Sequence, residues 1–156
     1  MSLYETIKLI HILSAAVLLG TGAGIAFFMV AAHRTGRPDV IAATARMVVL
    51  ADFVFTAPAV VLQPLSGVAL VHVQGYGLSE PWLLAAYGLY LLIGACWLPV
   101  VAIQLRIRRL AEAASAAGAP LPAAYRRLFR LWFILGWPAF GGVLGVYWLM
   151  VARPVF

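Results

Sequence analysis

Five polar side chains stand inside long apolar runs of this sequence: His11, Asp52, Thr56, Gln63 and Cys96. Lys8, His33 and His72 lie nearer the ends of those runs. Polar groups cost free energy in hydrocarbon, so each is a candidate for binding or chemistry. His11 has the widest range. A neutral imidazole ligates haem iron or another metal, or it hydrogen-bonds a backbone carbonyl or a neighbour such as Gln63. Lys8 sits one turn before it. His72 stands at the same end of a second run, so depth permits a site shared with His11. Steps of about 100° nevertheless put His72 on the face of Val61, Leu65 and Val68, roughly opposite Gln63. His33 is about 33 Å from His11 at 1.5 Å per residue, too far for the two to hold one metal or one haem. Beside Arg34, it reads as a solvated end residue.

Asp52, Thr56 and Gln63 fall on one helical stripe. A carboxylate at that depth calls for a partner, and Arg46 or an arginine of segment 104–130 is the expected one, an ion pair fixing two helices. A proton relay is the alternative. Cys96 alone reads as a small apolar packing residue. No Ser-His-Asp set, phosphate loop, zinc spacing or calcium loop occurs, which argues against soluble-type hydrolase and nucleotide chemistry.

The elements that position these residues are membrane spans. The chain has 156 residues, 65% hydrophobic and 10% charged, with a mean hydropathy of +1.01. A soluble domain carries roughly 25% charged residues. Too little polar side chain is present to cover a water-exposed surface, and a single cysteine excludes a disulfide scaffold. Four stretches reach the ~20 apolar residues a crossing helix needs: about 3–32, 47–73, 81–103 and 131–152. The expected fold is an all-α, four-helix transmembrane bundle in one domain. The length of the first run, and Glu5 beside Lys8, argue against a cleaved leader. Nine of the eleven Lys and Arg residues lie in the 1–2 and 3–4 connections. That asymmetry puts both connections in the cytoplasm and both termini outside. It also accounts for the net charge of +6 through anionic lipid rather than nucleic acid.

The short connection 74–80 makes the second and third spans antiparallel neighbours. Residues 104–117 read as a helical extension of span 3, 118–122 as the turn, and span 4 as restarting near Ala123, so that a hairpin projects into the cytoplasm. Gly20-x-x-x-Gly24 and Gly141-x-x-x-Gly145 are candidate packing faces, within the bundle or between copies. Pro58, Pro64, Pro99 and Pro138 should bend their spans, and such bends can open a pocket. Trp82, Tyr147 and Trp148, and at the other end Phe129 and Trp132, read as interfacial anchors.

Over nearly its full length the chain resembles a bacterial family of predicted integral membrane proteins of unknown function. The matching stretches include Lys8-Leu-Ile-His11-Ile-Leu-Ser, Gly20-Thr-Gly22, Ala51-Asp52-Phe-Val-Phe-Thr56-Ala-Pro58, Gln63-Pro64-Leu-Ser-Gly67, Trp97-Leu-Pro99 and Gly136-Trp137-Pro138. Its first helix is also similar to that of the bacterial membrane protoporphyrinogen oxidase (HemJ type) and of copper-resistance D membrane proteins. Lys8, His11 and His33 match that layout. The porphyrinogen oxidase has a functional lysine in its third span, and this chain has none between Trp82 and Ile103.

The resemblance implies a four-helix fold binding haem b in a bacterial inner membrane, with His11 as axial ligand and Lys8 beside it; shared depth adds His72, and neighbourhood adds Gln63, as further cofactor-binding candidates. Electron transfer or porphyrin-linked redox work would follow, with a quinol or a porphyrin as lipid-soluble partner. Two other expectations stand beside it. One is a non-catalytic subunit or assembly partner of a larger membrane complex, or a homodimer. The other is a small transporter or copper-handling protein with Asp52, Thr56 and Gln63 lining the path.

Overall fold

The structure is a computed structural model that describes residues 1–154. Its elements are α1 (Leu3–Thr35), α2 (Pro38–Ala51), a π turn (Asp52–Thr56), α3 (Ala57–Gln74), α4 (Pro81–Ala116) and α5 (Ala123–Ala152). Because α2, the π turn and α3 run on without a break, four helical rods result. All four are long and apolar enough to cross a membrane, and no strand occurs among the described residues.

Local chemistry fixes the rod ends. Ser2 and Glu5 form a reciprocal capping box at the start of α1, with bonds of 3.2 and 2.7 Å. Gly36 and Gly75 close α1 and α3 in the left-handed region, φ 65° and 72°, where a Cβ is disfavoured. Pro38 and Pro81 open α2 and α4, where their missing N–H has no helical partner to lose.

Two boundaries differ from expectation. The 1–2 connection shrinks to Gly36 and Arg37, and the second rod begins at Pro38 rather than near 47. Segment 38–46 is too polar to score as membrane, yet Ile41, Ala42 and Ala45 are almost fully buried. They pack in an apolar core with Met29 of α1, Ile107 of α4 and Tyr125 of α5. Phe129 and Trp132, expected as interfacial anchors, also belong to that core. The 3–4 hairpin forms as expected, α4 running to Ala116 and α5 starting at Ala123.

A second, smaller core lies at the opposite end and joins Val71 of α3 to Trp82, Leu83 and Ala86 of α4 and Leu149 of α5. There Arg153 caps α5, donating to the Tyr76 hydroxyl (2.6 Å) and lying over the Tyr76 and Trp82 rings. The rods thus meet tightly at both ends and leave a hollow between.

Proline chemistry shapes the wall of that hollow. The Pro58 ring would clash with the carbonyl four residues back; the chain widens into the π turn, in which Ala57 N–H reaches the Asp52 carbonyl. Pro64 deprives the Val60 carbonyl of its helical donor, and the Tyr90 hydroxyl of α4 donates to that carbonyl instead.

The small-residue faces divide. A Cβ at Gly142 would meet Ile93 at 2.8 Å and one at Gly145 would meet Leu89 at 2.9 Å, so these glycines let α5 approach α4. Gly20, Gly24 and Gly141 face nothing within 4 Å.

Candidate functional site

Two groups of polar side chains occupy the middle of the bundle. The first joins α1 to α3 around His11. Ser66 Oγ gives its hydrogen to the Leu62 carbonyl (2.7 Å) and therefore accepts from His11 Nδ1–H at 2.9 Å. His11 Nε2 then carries a lone pair, which accepts from the Gln63 amide at 3.1 Å. The Gln63 carbonyl oxygen accepts in turn from the Ser14 hydroxyl. Ser66 and Ser14 have backbone acceptors as well, the Gln63 and His11 carbonyls at 3.1 Å, and both imidazole nitrogens are occupied. Gly67 gives the ring room: a Cβ there would lie 3.3 Å from His11 Cε1.

The second group surrounds Asp52 on the π turn. Thr56, Gln104 and Trp97 turn towards its carboxyl group. They lie close enough to share its charge, but without a well-aligned hydrogen bond: Asp52 Oδ2, Thr56 Oγ1, Gln104 Oε1 and Trp97 Nε1 are fully buried, as is the indole nitrogen of Trp132 elsewhere in the bundle. Asp52 is 4% exposed, Thr56 7% and Gln104 2%. The expected ion pair of Asp52 is not formed. Arg46 instead lies 3.3 Å from Glu112, with Arg108 at 3.9 Å from the same oxygen. Six residues of helix carry Arg46 onto another face than Asp52 and nearer the rod end, where Glu112 of the α4 extension meets it in a partly exposed pair.

The residues of this group border a cavity of about 450 Å³ between the four rods, within the range of small-molecule sites. Its wall is overwhelmingly apolar and rich in aromatic rings, among them Trp97, Trp132, Trp137 and Phe140. Asp52, Thr56 and Gln63, the stripe read from the sequence, all line it. So do Tyr90, Trp97 and Gln104, spaced seven residues apart on one face of α4, a signal the sequence reading passed over. Lining residues Gly22, Ala23 and Ala26 of α1 and Phe133, Gly136 and Trp137 of α5 are also exposed, so the cavity opens sideways along the α1/α5 seam.

The remaining candidates lie elsewhere. His72 is exposed at the end of α3 and Lys8 lies over the Tyr4 ring at 5.5 Å; neither meets His11. His33 is half-buried rather than solvated, bonded to the Tyr125 hydroxyl (3.0 Å) and stacked 3.7 Å from Phe129. Cys96 is buried and free. Among the described residues no three His, Cys, Asp or Glu side chains cluster as metal ligands.

Haem held by His11 does not fit these residues. Axial ligation needs a free imidazole nitrogen, and both are bonded to α3. The ring also stands outside the lining of the cavity, and His72 does not face it.

Four apolar rods around a polar-footed hollow define an integral membrane protein of the α-helical bundle class. The chain belongs to the family described as predicted integral membrane protein (DUF2269), which matches residues 5–154. No curated protein and no solved structure matches it.

Proposed function

We propose that this protein binds a small lipid-soluble molecule inside the bilayer, as a carrier or as the membrane subunit that presents such a molecule to a partner. The observation that carries this reading is a 450 Å³ apolar cavity that opens sideways between α1 and α5 and has Asp52, a carboxyl group with no cation beside it, in its wall. Burying a carboxyl group in hydrocarbon costs free energy that a wall serving only to pack the helices would avoid. The sideways opening suits a molecule that arrives dissolved in lipid, which includes the quinol and porphyrin classes. The open Gly20–Gly24 face suits a second copy or a larger complex.

The basic end belongs on the cytoplasmic side of a bacterial inner membrane, with both termini outside, by the distribution of Arg residues. A cysteine placed at Gly77 should then react with an impermeant maleimide in intact cells, and one at Ala117 only after lysis; the reverse pattern inverts the orientation.

The cavity is tested with naphthalene, titrated calorimetrically into the purified full chain in detergent. Gly94 lines the cavity and a Cβ there meets nothing within 4 Å, so Gly94→Leu starts its side chain in open space and takes up cavity volume. Wild type should bind and Gly94→Leu should lose at least about tenfold in affinity. Equal binding by both would remove the reading.

A further inference from the structure

The shape of the cavity limits what it holds. Its lining runs from Tyr90 to Gln104 on α4 and from Trp132 to Tyr147 on α5, about 21–22 Å along the rods at 1.5 Å per residue. The 450 Å³ spread over that length leaves a cross-section of only about 20 Å². A slot so long and thin has the shape of one extended hydrocarbon chain. Its wall carries no Lys or Arg, and its one charged residue is Asp52, so the wall accepts a chain and keeps an anionic head outside.

The mouth supplies what the wall lacks. At the basic end α1 and α5 touch, His33 stacked on Phe129 at 3.7 Å. The opening starts just beyond, between Ala23 and Ala26 of α1 and Phe133 and Trp137 of α5. Arg34 follows His33 and Arg130 follows Phe129. Arg34 is eleven residues after Ala23 and Arg130 is seven before Trp137. At about 100° per residue, each arginine lies within about 20° of the direction of that opening residue. Both are exposed, and neither makes an ion pair among the described residues. Each side of the opening thus ends in a guanidinium whose fork matches phosphate or carboxylate oxygens.

From slot and mouth together we infer that the cavity takes one hydrocarbon chain of an anionic lipid from the leaflet on the basic side, its head held between Arg34 and Arg130. The inference rests on the cavity being a ligand site and names the class of ligand. A neutral lipid offers the same chain but leaves both arginines unmet.

The experiment places the full chain in phosphatidylcholine nanodiscs with a trace of phosphatidylglycerol or phosphatidylcholine carrying the same slender polyene chain, trans-parinaroyl. Trp97, Trp132 and Trp137 line the slot and donate energy to the polyene; the signal is the transfer that unlabelled lipid of the same class displaces. Wild type should hold the phosphatidylglycerol probe at least about tenfold more tightly than the phosphatidylcholine probe. Gly94→Leu should remove most of the displaceable transfer to either. Arg34→Gln combined with Arg130→Gln should bring the two probes within about twofold of each other. Arg106→Gln combined with Arg109→Gln, exposed positions on α4, should leave the preference in place. Equal loss in the two arginine pairs would overturn the inference, because a diffuse basic surface would then account for it. Displaceable transfer untouched by Gly94→Leu would also overturn it, since the chain would lie outside the slot. Free trans-parinarate separates the sources of the anion: held as tightly as the phosphatidylglycerol probe, it makes a fatty acid an equal occupant, and held no better than phosphatidylcholine, it leaves the phospholipid. If wild type and Gly94→Leu bind naphthalene alike, the cavity reading falls and this one with it. If naphthalene tells them apart but the Arg34 and Arg130 pair changes nothing, only the lipid assignment falls.

Discussion

His11 and Asp52 meet the same difficulty, a polar group among hydrocarbon, in opposite ways. His11 is saturated: Ser66 and Gln63 take both ring nitrogens, and Ser14 completes the Gln63 amide. It therefore works as a fastener between α1 and α3. Interhelical hydrogen bonds of this kind contribute roughly 0.6 kcal/mol each and up to about 1.7. His11→Ala, which removes two, should lower unfolding stability in detergent by about 1–2 kcal/mol. The wild-type protein should show no Soret band that depends on His11, and such a band, lost in His11→Ala, would restore the haem reading. Asp52 has no cation and no well-aligned hydrogen bond, and it stands in the wall of the cavity where His11 does not. The sequence exposed the Asp52, Thr56 and Gln63 stripe because its residue types are rare in spans. It hid Ser14 and Ser66, since small hydroxyl residues are ordinary in spans and only the fold shows them meeting His11. Gln104 reads from sequence as the start of the helical extension into the cytoplasm, because hydropathy falls just there while burial does not.

At the scale of elements, one proline and one tyrosine are coupled. Pro64 leaves the Val60 carbonyl without its helical N–H, and Tyr90 supplies a hydroxyl from α4. Tyr90→Phe should cost about 1–2 kcal/mol, the penalty of an unpaired buried carbonyl. In a Pro64→Ala background the backbone N–H returns, and the same Tyr90→Phe change should cost close to nothing. Additive losses in the double-mutant cycle would refute the coupling. The glycines of α5 give a second contrast. Gly142→Ala pushes a methyl group into Ile93 and should destabilise by about 1–3 kcal/mol, whereas Gly141→Ala, which meets nothing, should be neutral or slightly stabilising. Thermal unfolding of the two variants side by side decides it. Apolar length revealed all four rods. It missed the start of α2, because small, weakly apolar residues such as Ala42 and Ala45 are buried there by close packing rather than by hydropathy. The π turn follows from Pro58, but a sequence does not show which way the helix yields to a proline.

The whole molecule is two apolar cores, one at each end of the rods, with a hollow between them. Neither core needs the hollow in order to form, since their members do not line it except Ile25 and Trp132 at the basic end. Stability and binding are therefore separable, and they should respond to one substitution with opposite signs. Gly94→Leu adds apolar volume where the cavity has none, and replaces a helical glycine whose conformational entropy costs about 0.5–1 kcal/mol. The variant should unfold at a higher temperature than wild type while losing naphthalene binding, the trade expected where a site keeps space that packing would otherwise take. If Gly94→Leu instead lowers the unfolding temperature, the helices must close over that space in the free protein, and the hollow would not be a standing feature of the fold. A rise in unfolding temperature when wild type is given naphthalene, absent in Gly94→Leu, would tie the same space to binding, because a molecule that binds only the folded state stabilises it by mass action.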